Sequence, residues 1–413
     1  MKMKPKLHST IIFAFCITIL IGCSPSEKKE KKEVPAKEKW SQLMTESEIK
    51  RNPEAWMLDF HTEPRWSYVN GLVCLSILKV WEDTDDPKYF DYVKGYADSL
   101  INSEGEIMGR FRKEAFNIDA INSGKILFAL YDKTGDERYK KAIDALYDQL
   151  HDQPRISEGG FWHKKIYPNQ MWLDGIYMGS PFYAQYAKTY GDDSMFDDIA
   201  LQFELMHENA RDSITGWYYH GWNPRKDVYW ADPETGLSKH FWGRGVGWYY
   251  MALIDALDFF PKDHPKRQQL IDEFTELSAT AKRWQNEKTG LWYQVLDQGD
   301  RKGNYLEATC SSMFAYGLLK GIDQGYLGDE YVPTAEKAYK GIIDNLIIKH
   351  SNEEVELTEC CAGAGLGPAD NLVRNGTYEY YINEKKRSND GKGTGPFIMA
   401  SLLYENMEIF NKK

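Results

Sequence analysis

Apolar and polar positions follow one another along this chain with helical spacing, and the period-two runs typical of strands are few. Six apolar stretches predict helices at 66–81, 118–133, 175–189, 244–259, 309–322 and 395–410. Six charged, one-faced stretches predict helices at 43–58, 88–101, 137–150, 194–210, 264–284 and 331–347. Because helices that are apolar all round belong inside and one-faced helices outside, the pattern predicts an all-α domain with two layers of helices.

A weak repeat connects the apolar helices to the charged ones. The segments WEDTDDPKYF (81–90), YDKTGDERYK (131–140) and YAKTYGDDSMF (186–196) each contain an aromatic helix end, a polar turn and a new helix. These turns recur at roughly 50–70 residues, which is the scale of one helical hairpin with its loop. Such hairpins build open solenoids as well as closed rings. The last helix, GTGPFIMASLLYENMEIF, carries no polar face to cap an open end, which favours a closed toroid of six hairpins.

The starts of the inner helices share one composition. In a closed toroid these starts and the loops before them converge on one mouth, and here they are polar, Gly-rich and aromatic, as a ligand pocket requires. The segments are RWSYVNGL (65–72), FNIDAINSGK (116–125), MWLDGIYMGSP (171–181), FWGRGVGWYY (241–250), EATCSSMF (307–314) and GKGTGPF (391–397).

Composition narrows the class of ligand. The 413 residues carry a net charge of -11, so the basic footprint of a nucleic-acid binder is absent, and an anionic ligand needs local cations to hold it. Aromatic residues make up 14% of the chain, with 13 Trp and 27 Tyr, whose flat faces and polar tips suit sugar rings.

The amino terminus resembles an export signal. Residues 1–23 join a basic start to a short apolar run that ends in LIGC, which resembles the lipobox of bacterial lipoproteins and implies lipidation of Cys23; an ordinary cleaved signal or an anchor helix is the alternative. Residues 24–39 are rich in Lys and Glu and predict a disordered tether. Residues 40–413 are then expected to form a single domain, located in the periplasm or at the cell surface and anchored to the membrane only through lipid.

The remaining cysteines carry no metal pattern. Cys74, Cys310, Cys360 and Cys361 do not match a zinc spacing, and the histidines do not cluster with other ligands. We therefore expect buried thiols, with one disulfide as the alternative in an oxidising compartment. No metal or cofactor is expected.

Asp119 and Asp174 are the carboxylates at two adjacent inner-helix starts. Either Asp alone is explained by capping its helix. Paired carboxylates are also the equipment of glycoside hydrolysis, and apolar surroundings such as those of Asp174 are expected to raise the pKa of one member so that it carries a proton. Ser180-Pro181 is itself a helix-start signal, which would leave Asp174 in the loop before the helix.

Arg244 lies between glycines, flanked by Trp242 and Trp248. Its planar fork suits a carboxylate ligand, whereas the alternative is a pair with a structural Asp. A phosphate loop matches poorly, because no Lys-Ser/Thr follows the glycines and no strand precedes them. His163 and His220 lie in aromatic loops, where a structural role is the alternative to a functional one.

Together these segments resemble glycoside hydrolase family 105, the unsaturated rhamnogalacturonyl hydrolases, and the related unsaturated glucuronyl hydrolases. The resemblance rests on MWLDGIYMGSPF, FWGRGVGWYYMALIDAL, INSGK after Asp119, and CCAGAGLGP. It implies an (α/α)6 barrel, with Asp174 as the general acid/base and Asp119 as the second active-site Asp. It further implies a sugar pocket lined by His163, Lys164, Trp172, His220, Trp242, Arg244, Trp248 and Tyr68.

The resemblance also implies a substrate and a mechanism. The substrate is an oligosaccharide left by a polysaccharide lyase, with a 4,5-unsaturated uronic acid at its non-reducing end. Protonation of C4 and addition of water at C5 release that sugar without attack at the anomeric carbon. Arg244 and Lys164 are the expected partners of the uronate carboxylate, with tryptophans stacked on the ring.

Two other functions fit parts of the pattern. A sugar epimerase on the same toroid would need several pocket histidines, and the whole chain has only 9. A non-catalytic glycan binder would keep the aromatics without needing Asp174. Rhamnogalacturonan, ulvan, arabinogalactan-type chains and glycosaminoglycans all yield suitable ends, and a monomer or dimer is expected.

Overall fold

The computed structural model describes residues 38–368 and 370–411. The chain from Lys39 onward forms one packed unit. The predicted signal at 1–23, with Cys23, and all but the last two residues of the predicted tether at 24–39 lie outside the described residues. Within the described ranges, no helix has the length and apolar character needed to cross a membrane.

The described chain is mostly helical. Its longer helices are α1 (Trp40–Arg51), α2 (Tyr68–Thr84), α3 (Pro87–Leu100), α4 (Lys125–Thr134), α5 (Glu137–His151), α6 (Leu173–Tyr190), α7 (Ser194–Ala210), α8 (Gly243–Ala256), α9 (Arg267–Trp284), α10 (Ala308–Asp323) and α11 (Val332–Leu346), followed by the short α12 (Tyr378–Asn383), then α13 (Gly391–Asn406) and the short α14 (Glu408–Asn411). The 3₁₀ segments are Ala55–Phe60, Lys113–Ala115, Ile118–Gly124 and Asp329–Tyr331. The strands are β1 (Met171–Trp172), β2 (Gly221–Trp222), β3 (Ile347–Lys349), β4 (Val355–Leu357), β5 (Cys360–Cys361) and β6 (Lys386–Arg387), paired antiparallel as β1–β2, β3–β4 and β5–β6.

Six helices form a closed inner ring. In chain order α2, α4 with its 3₁₀ lead-in Ile118–Gly124, α6, α8, α10 and α13 each pack against the next, and α13 packs against α2. Each inner helix also packs against one outer helix, in the pairs α2–α3, α4–α5, α6–α7, α8–α9, α10–α11 and α13–α1. The prediction of an all-α, six-hairpin toroid, an (α/α)6 barrel, is therefore confirmed.

Two of the outer helices, α3 and α5, begin at an Asp that caps the helix. The Asp86 carboxylate accepts from the backbone N–H of Lys88 and precedes Pro87, and the Asp136 carboxylate accepts from the N–H of Arg138. A side-chain oxygen at this position satisfies one of the N–H groups that have no partner within the helix, which stabilises a helix by about 1 kcal/mol. These caps set the polar turns of the hairpins.

Several predicted helix bounds differ from the observed ones. The helix expected at 43–58 ends at Arg51, and a separate 3₁₀ segment, Ala55–Phe60, follows it. α6 begins at Leu173 and α13 at Gly391, so that Pro181 and Pro396 lie inside these helices and do not start them. Both helices belong to the inner ring. Their packing against neighbouring helices outweighs the loss of the one backbone hydrogen bond that each proline cannot donate.

The two ends of the domain meet. The backbone N–H of Ser41, at the start of α1, donates to Oε1 of Glu405 near the end of α13 at 3.0 Å, and the Ser41 hydroxyl donates to Oε2. The closing hairpin of the ring is therefore made from the first and the last long helices of the domain.

Side chains fill the axis of the barrel. Trp248 of α8 stacks on Tyr177 of α6 at 4.8 Å between ring centroids. The ammonium of Lys125 lies 3.7 Å from the centroid of the Tyr177 ring. The four cysteines of the described chain are buried and none forms a disulfide, as the thiol interpretation predicted.

Candidate active site

Asp119, Asp174 and Arg244 occupy the second positions of three consecutive inner starts. Asp119 follows Ile118 in the 3₁₀ lead-in to α4, Asp174 follows Leu173 at the start of α6, and Arg244 follows Gly243 at the start of α8. Because adjacent inner helices point the same way, equivalent positions bring the three side chains to the same end of the barrel.

Asp174 is hydrogen-bonded into a row of three side chains. His220 Nε2 lies 3.0 Å from Asp174 Oδ2, and His220 Nδ1 lies 2.8 Å from the hydroxyl of Tyr381 on α12. The β1–β2 pairing sets this geometry, since the backbone N–H of Leu173 donates to the carbonyl of His220 beside it. His220 is fully buried, and only 14% of the Asp174 side chain is exposed.

The charge state of Asp174 differs from the expectation. Burial raises the pKa of its carboxyl, as predicted, but His220, His163 and Arg244 lower it, and the result lies below the ordinary value. The prediction that apolar neighbours keep Asp174 protonated is therefore wrong for the unliganded site, because cationic and hydrogen-bond-donating groups lie closer than the sequence reveals. Asp174 also lies within the first turn of α6, not in a loop before it.

Asp119 belongs to a second polar group beside the first. Lys164 Nζ lies 2.6 Å from Asp119 Oδ2, and His163 Nε2 lies 3.3 Å from Asp119 Oδ1. The helix cap is supplied instead by Asn117, whose side chain accepts from the backbone N–H of Asp119. Asp119 is thus not the cap of its own segment, and its carboxylate is held by side-chain donors.

His163 lies between the two groups. It contacts Asp119 through Nε2, and its Nδ1 is close to Gly175 in the first turn of α6, where an added Cβ would lie 3.0 Å away. The imidazole stacks on Trp172 at 4.3 Å between centroids, and Trp172 in turn stacks on Tyr167 at 4.6 Å. Burial lowers the pKa of His163 to about 4, so the imidazole is neutral at physiological pH.

Arg244 is a buried cation without an acidic partner. Its guanidinium donates through Nη1 to the carbonyl of Cys361, lies 4.6 Å from the Trp242 ring, and has no hydrogen-bond partner at Nε. Among the residues that the structure describes, no carboxylate lies within ion-pair distance of it, so the alternative of a structural Arg–Asp pair is not met. More distant acidic groups such as Asp390 and Glu307 favour its charged form, but its guanidinium has no close carboxylate and is suited to bind an anionic ligand.

The tryptophans around Arg244 are more deeply buried than expected. Trp242 and Trp248 are 0% and 1% exposed, and both pack against other aromatic rings of the described chain. Trp242 is stacked with Tyr381, whereas Trp248 contacts Tyr177 and, edge-on, Tyr68. Trp242 packs against Arg244 and Trp248 against Tyr68, and neither tryptophan has a free face for a sugar. Tyr68 itself lines a cavity with Asp119.

The glycines around Arg244 allow this packing. A Cβ on Gly243 would lie 2.9 Å from the carbonyl oxygen of Tyr293, and one on Gly245 would lie 3.3 Å from the His220 ring. Glycine at these two positions therefore permits a close approach of the Tyr293 backbone and of the His220 ring.

Sequence reasoning missed Tyr381 and the carbonyl of Cys361. Tyr381 lies in the short helix α12, in a stretch without a motif, and only its distance from His220 reveals it. The carbonyl of Cys361 belongs to CCAGAGLGP, a segment noticed in the sequence but given no role. That segment passes over Arg244, since a Cβ on Gly363 would lie 4.0 Å from Nη2.

A cavity of about 490 Å³ opens next to this site and is lined in part by Tyr68, Asp119 and Lys164. In the described part of the chain, no group of three or more His, Cys, Asp or Glu side chains has the arrangement of a metal site. The chemical equipment is therefore two carboxylates in different surroundings, a hydrogen-bonded imidazole and a buried guanidinium, beside a space for a ligand.

Two carboxylates at the mouth of an (α/α)6 toroid agree with a glycosidase, and this is the class of protein that the family comparison shows. The model for Glycosyl Hydrolase Family 88 matches residues 40–408, and the chain belongs to this family. A solved glycoside hydrolase from family 105 of C. acetobutylicum ATCC 824 is 44% identical, with a TM-score of 0.85, over 90% of this chain and 100% of that one. This likeness agrees with the predicted resemblance to family 105.

Two further relatives are known by sequence. The unsaturated rhamnogalacturonyl hydrolase YesR of Bacillus subtilis (strain 168) is 24% identical over 357 residues, which cover 85% of this chain and 93% of the relative. Protein Atu3128 of Agrobacterium fabrum is 35% identical over 227 residues, which cover 54% of this chain and 96% of the relative.

Proposed function

We propose that the protein removes a 4,5-unsaturated uronic acid from the non-reducing end of oligosaccharides produced by polysaccharide lyases. The observation that carries this function is Arg244, a buried guanidinium without an acidic partner in the described chain, next to the hydrogen-bonded Asp174. A terminal uronate would supply the missing anion and, in doing so, place its ring beside a proton donor.

The mechanism follows from the position of Asp174. Protonated Asp174 donates its proton to C4 of the enol ether, which leaves a cationic oxocarbenium centre at C5. Water adds its oxygen to C5 and gives a proton back to the Asp174 carboxylate. The resulting C5 hemiketal opens to a ketone and leaves a hemiacetal at C1. Collapse of this hemiacetal to an aldehyde breaks the glycosidic bond, and its hydroxyl proton passes to the oxygen of the leaving oligosaccharide. Proton transfer by one positioned group of this kind contributes about 10²–10⁴-fold to the rate.

His220 and Tyr381 orient Asp174 in this scheme. When Asp174 is ionised, His220 donates its Nε2 proton to Oδ2, and Nδ1 accepts from the Tyr381 hydroxyl. Asp119 has another task. Its carboxylate holds Lys164 in place, and Lys164 with Arg244 is suited to bind the uronate carboxylate.

The double bond of the substrate supplies the test. Wild-type protein is expected to remove the ultraviolet absorbance of the conjugated uronate from a panel of lyase products. Asp174→Asn keeps the shape of the side chain but not its acid, and should lower the rate at least about 100-fold. Asp272→Asn, an exposed position on α9, is the matched control and should be unchanged. If wild type leaves the absorbance intact while binding the sugars, the protein is a glycan binder and the proposal fails.

We further propose a rhamnogalacturonan-type substrate. Support comes from YesR, a relative named for unsaturated rhamnogalacturonyl hydrolysis, and from the 44% identical family 105 structure. The alternative is a glucuronyl hydrolase for ulvan, arabinogalactan or glycosaminoglycan fragments. Comparing kcat/KM on defined disaccharides from each polymer separates the two, since the true substrate should exceed the others by more than about ten-fold.

Export and lipid anchoring at Cys23 are also proposed, on the LIGC sequence alone. Expression of the full chain should place the protein in the membrane fraction, labelled by a radioactive fatty acid. Cys23→Ser should abolish the label. A label that persists in the Cys23→Ser variant would contradict the assignment.

A further inference from the structure

The outer wall of the cavity next to the site is rich in arginine. Four basic side chains line it, namely Arg65, Arg110, Arg112 and Lys164. Two carboxylates, Asp59 and Asp119, line the same space. In a chain with a net charge of -11, a local excess of cations beside a glycosidase site indicates that an anionic ligand binds there.

Ion pairs within the protein account for only some of these charges. Lys164 pairs with Asp119 at 2.6 Å, Asp59 pairs with Arg387 at 2.6 Å, and Arg110 pairs with Glu63. Arg65 and Arg112 make no ion pair with any carboxylate of the described residues, although both are exposed and line the cavity. Two guanidinium groups are therefore available to a ligand on the route into the site.

The position of the two arginines indicates which part of a ligand they meet. Asp174 and Arg244 lie at the enclosed end, with 14% of the Asp174 side chain exposed and Arg244 2% exposed. A terminal uronate held there must direct the rest of its oligosaccharide outward, past Tyr68 and Asp119, into the cavity. Arg65 and Arg112 then face the sugars on the leaving side of the scissile bond.

On the basis of the proposed function, we infer that Arg65 and Arg112 form a subsite for an oxyanion on the leaving-side sugars. A guanidinium fork matches the two oxygens of a carboxylate or of a sulfate ester. The same chemistry has two sources, a second uronic acid or a sulfated sugar. The subsite would make the enzyme prefer acidic oligosaccharides to those whose remaining sugars are neutral.

Three oligosaccharides test this subsite. All carry the same terminal unsaturated uronate, and their leaving sugars are neutral, uronate-bearing or sulfate-bearing. Wild type should show a higher kcat/KM for at least one acidic substrate than for the neutral one, by about ten-fold. The substrate with the higher value identifies carboxylate or sulfate as the preferred anion. Because the arginines are exposed, the preference should shrink as the ionic strength rises.

The variants are Arg65→Gln, Arg112→Gln and the double variant. The double variant should lose the preference for acidic substrates and keep its rate on the neutral one within about two-fold. Arg267→Gln on the outer helix α9, at the end of the barrel remote from the mouth, removes the same charge and should change neither rate. Melting temperatures establish that each variant is folded.

Two results would overturn the inference. One is an equal rate of wild type on neutral and acidic substrates, and the other is an equal loss on all three substrates in the double variant. Binding of the three sugars to Asp174→Asn, measured by calorimetry, separates the subsite from the reaction. Preferential binding of acidic sugars without hydrolysis by wild type would contradict the proposed function and support the subsite. Hydrolysis without any preference for acidic sugars would support the proposed function and contradict the subsite.

Discussion

Asp174 is subject to opposing influences at the scale of a single residue. Burial raises the pKa of its carboxyl, while His220, His163 and Arg244 together lower it below the ordinary value. The unliganded site therefore holds a carboxylate at neutral pH, although the reaction begins with a carboxylic acid. A uronate bound to Arg244 would offset one of the lowering influences and raise the pKa of Asp174 in the complex.

The pH dependence of kcat/KM reports this free-protein state. Because the folded-state pKa of Asp174 is lowered, its protonated form grows as the pH falls, and kcat/KM should rise from about pH 8 to about pH 5. His163, whose pKa burial lowers to about 4, stays neutral over most of this range and does not reverse the trend. Measuring kcat as well should give a flatter profile. A kcat/KM optimum on the alkaline side would contradict the assignment.

Tyr381 is the residue whose role the structure reveals most directly. Tyr381→Phe removes the hydroxyl that donates to His220 Nδ1 and loosens the orientation of His220 against Asp174. We expect kcat to fall about five- to ten-fold, the effect of one neutral hydrogen bond, with little change in KM. Tyr378→Phe, on the same helix but bonded to the carbonyl of Arg301, is the control. An equal loss in both variants would indicate a general effect on α12.

The sequence was sufficient to find Asp119, Asp174 and Arg244, because a repeated hairpin places equivalent positions at one mouth. It was not sufficient to find their partners. Tyr381 reaches His220 across 161 residues of chain, and nothing local to either position predicts that contact. The predicted direction of the pKa shift of Asp174 was wrong for the same reason, since the shift depends on the distances from its carboxyl to His220 and Arg244.

At the scale of helices, the contact between α2 and the 3₁₀ lead-in to α4 tests how tightly the mouth is packed. A Cβ on Gly71 would lie 2.5 Å from the Cα of Ser123, a backbone atom that cannot move aside alone. Gly71→Ala should therefore destabilise the protein by about 1–3 kcal/mol, measured by denaturant unfolding.

Gly95 on the outer helix α3 is the matched control, because a Cβ there would meet nothing within 4 Å. Gly95→Ala should be stabilising by up to about 1 kcal/mol, since alanine favours a helix over glycine. If Gly71→Ala were as well tolerated as Gly95→Ala, the close contact between α2 and Ser123 would be absent in solution.

Helix ends were predictable where the chain signals them locally. α5 and α7, which begin after polar turns, were expected at 137–150 and 194–210 and are observed at Glu137–His151 and Ser194–Ala210. The start of α13 was placed too late, at 395 next to Pro396, and the alternative start of α6 at Ser180-Pro181 is wrong for the same reason, because proline usually marks a first turn. In these two helices the turns before the proline are held by neighbouring inner helices, a tertiary effect that no local signal carries.

At the scale of the whole molecule, a group of ion pairs connects the 3₁₀ segment Ala55–Phe60 to α13, the last inner helix. Asp390, the N-cap of α13, is fully buried and pairs with Arg387 and with Lys392 at 2.8 Å, while Arg387 pairs with Asp59 at 2.6 Å. Asp390→Ala would leave Lys392, only 3% exposed at its side chain, with only the more distant carboxylate of Asp59 at 3.8 Å, and should cost about 3–5 kcal/mol.

Asp227→Ala is the control for this variant, because Asp227 is half exposed in its pair with Arg225 and should cost no more than about 1 kcal/mol. Burial raises the pKa of Asp390, but Lys392, Arg244 and Arg387 lower it, and the result is below the ordinary value. The stabilisation by Asp390 should therefore be lost as the pH falls through that lowered pKa. The free energies of unfolding of Asp390→Ala and Asp227→Ala should then become similar.

The contact of Ser41 with Glu405 brings α1 and the end of α13 together, so that the ring can in principle begin at any of its hairpins. A gene rearranged to join these ends and to open the chain in an exposed outer turn, such as Lys133–Asp136, retains every helix pair of the ring. Such a circularly permuted protein should keep Asp119, Asp174 and Arg244 in their places, and would allow a fusion partner to be attached at any of the turns between hairpins.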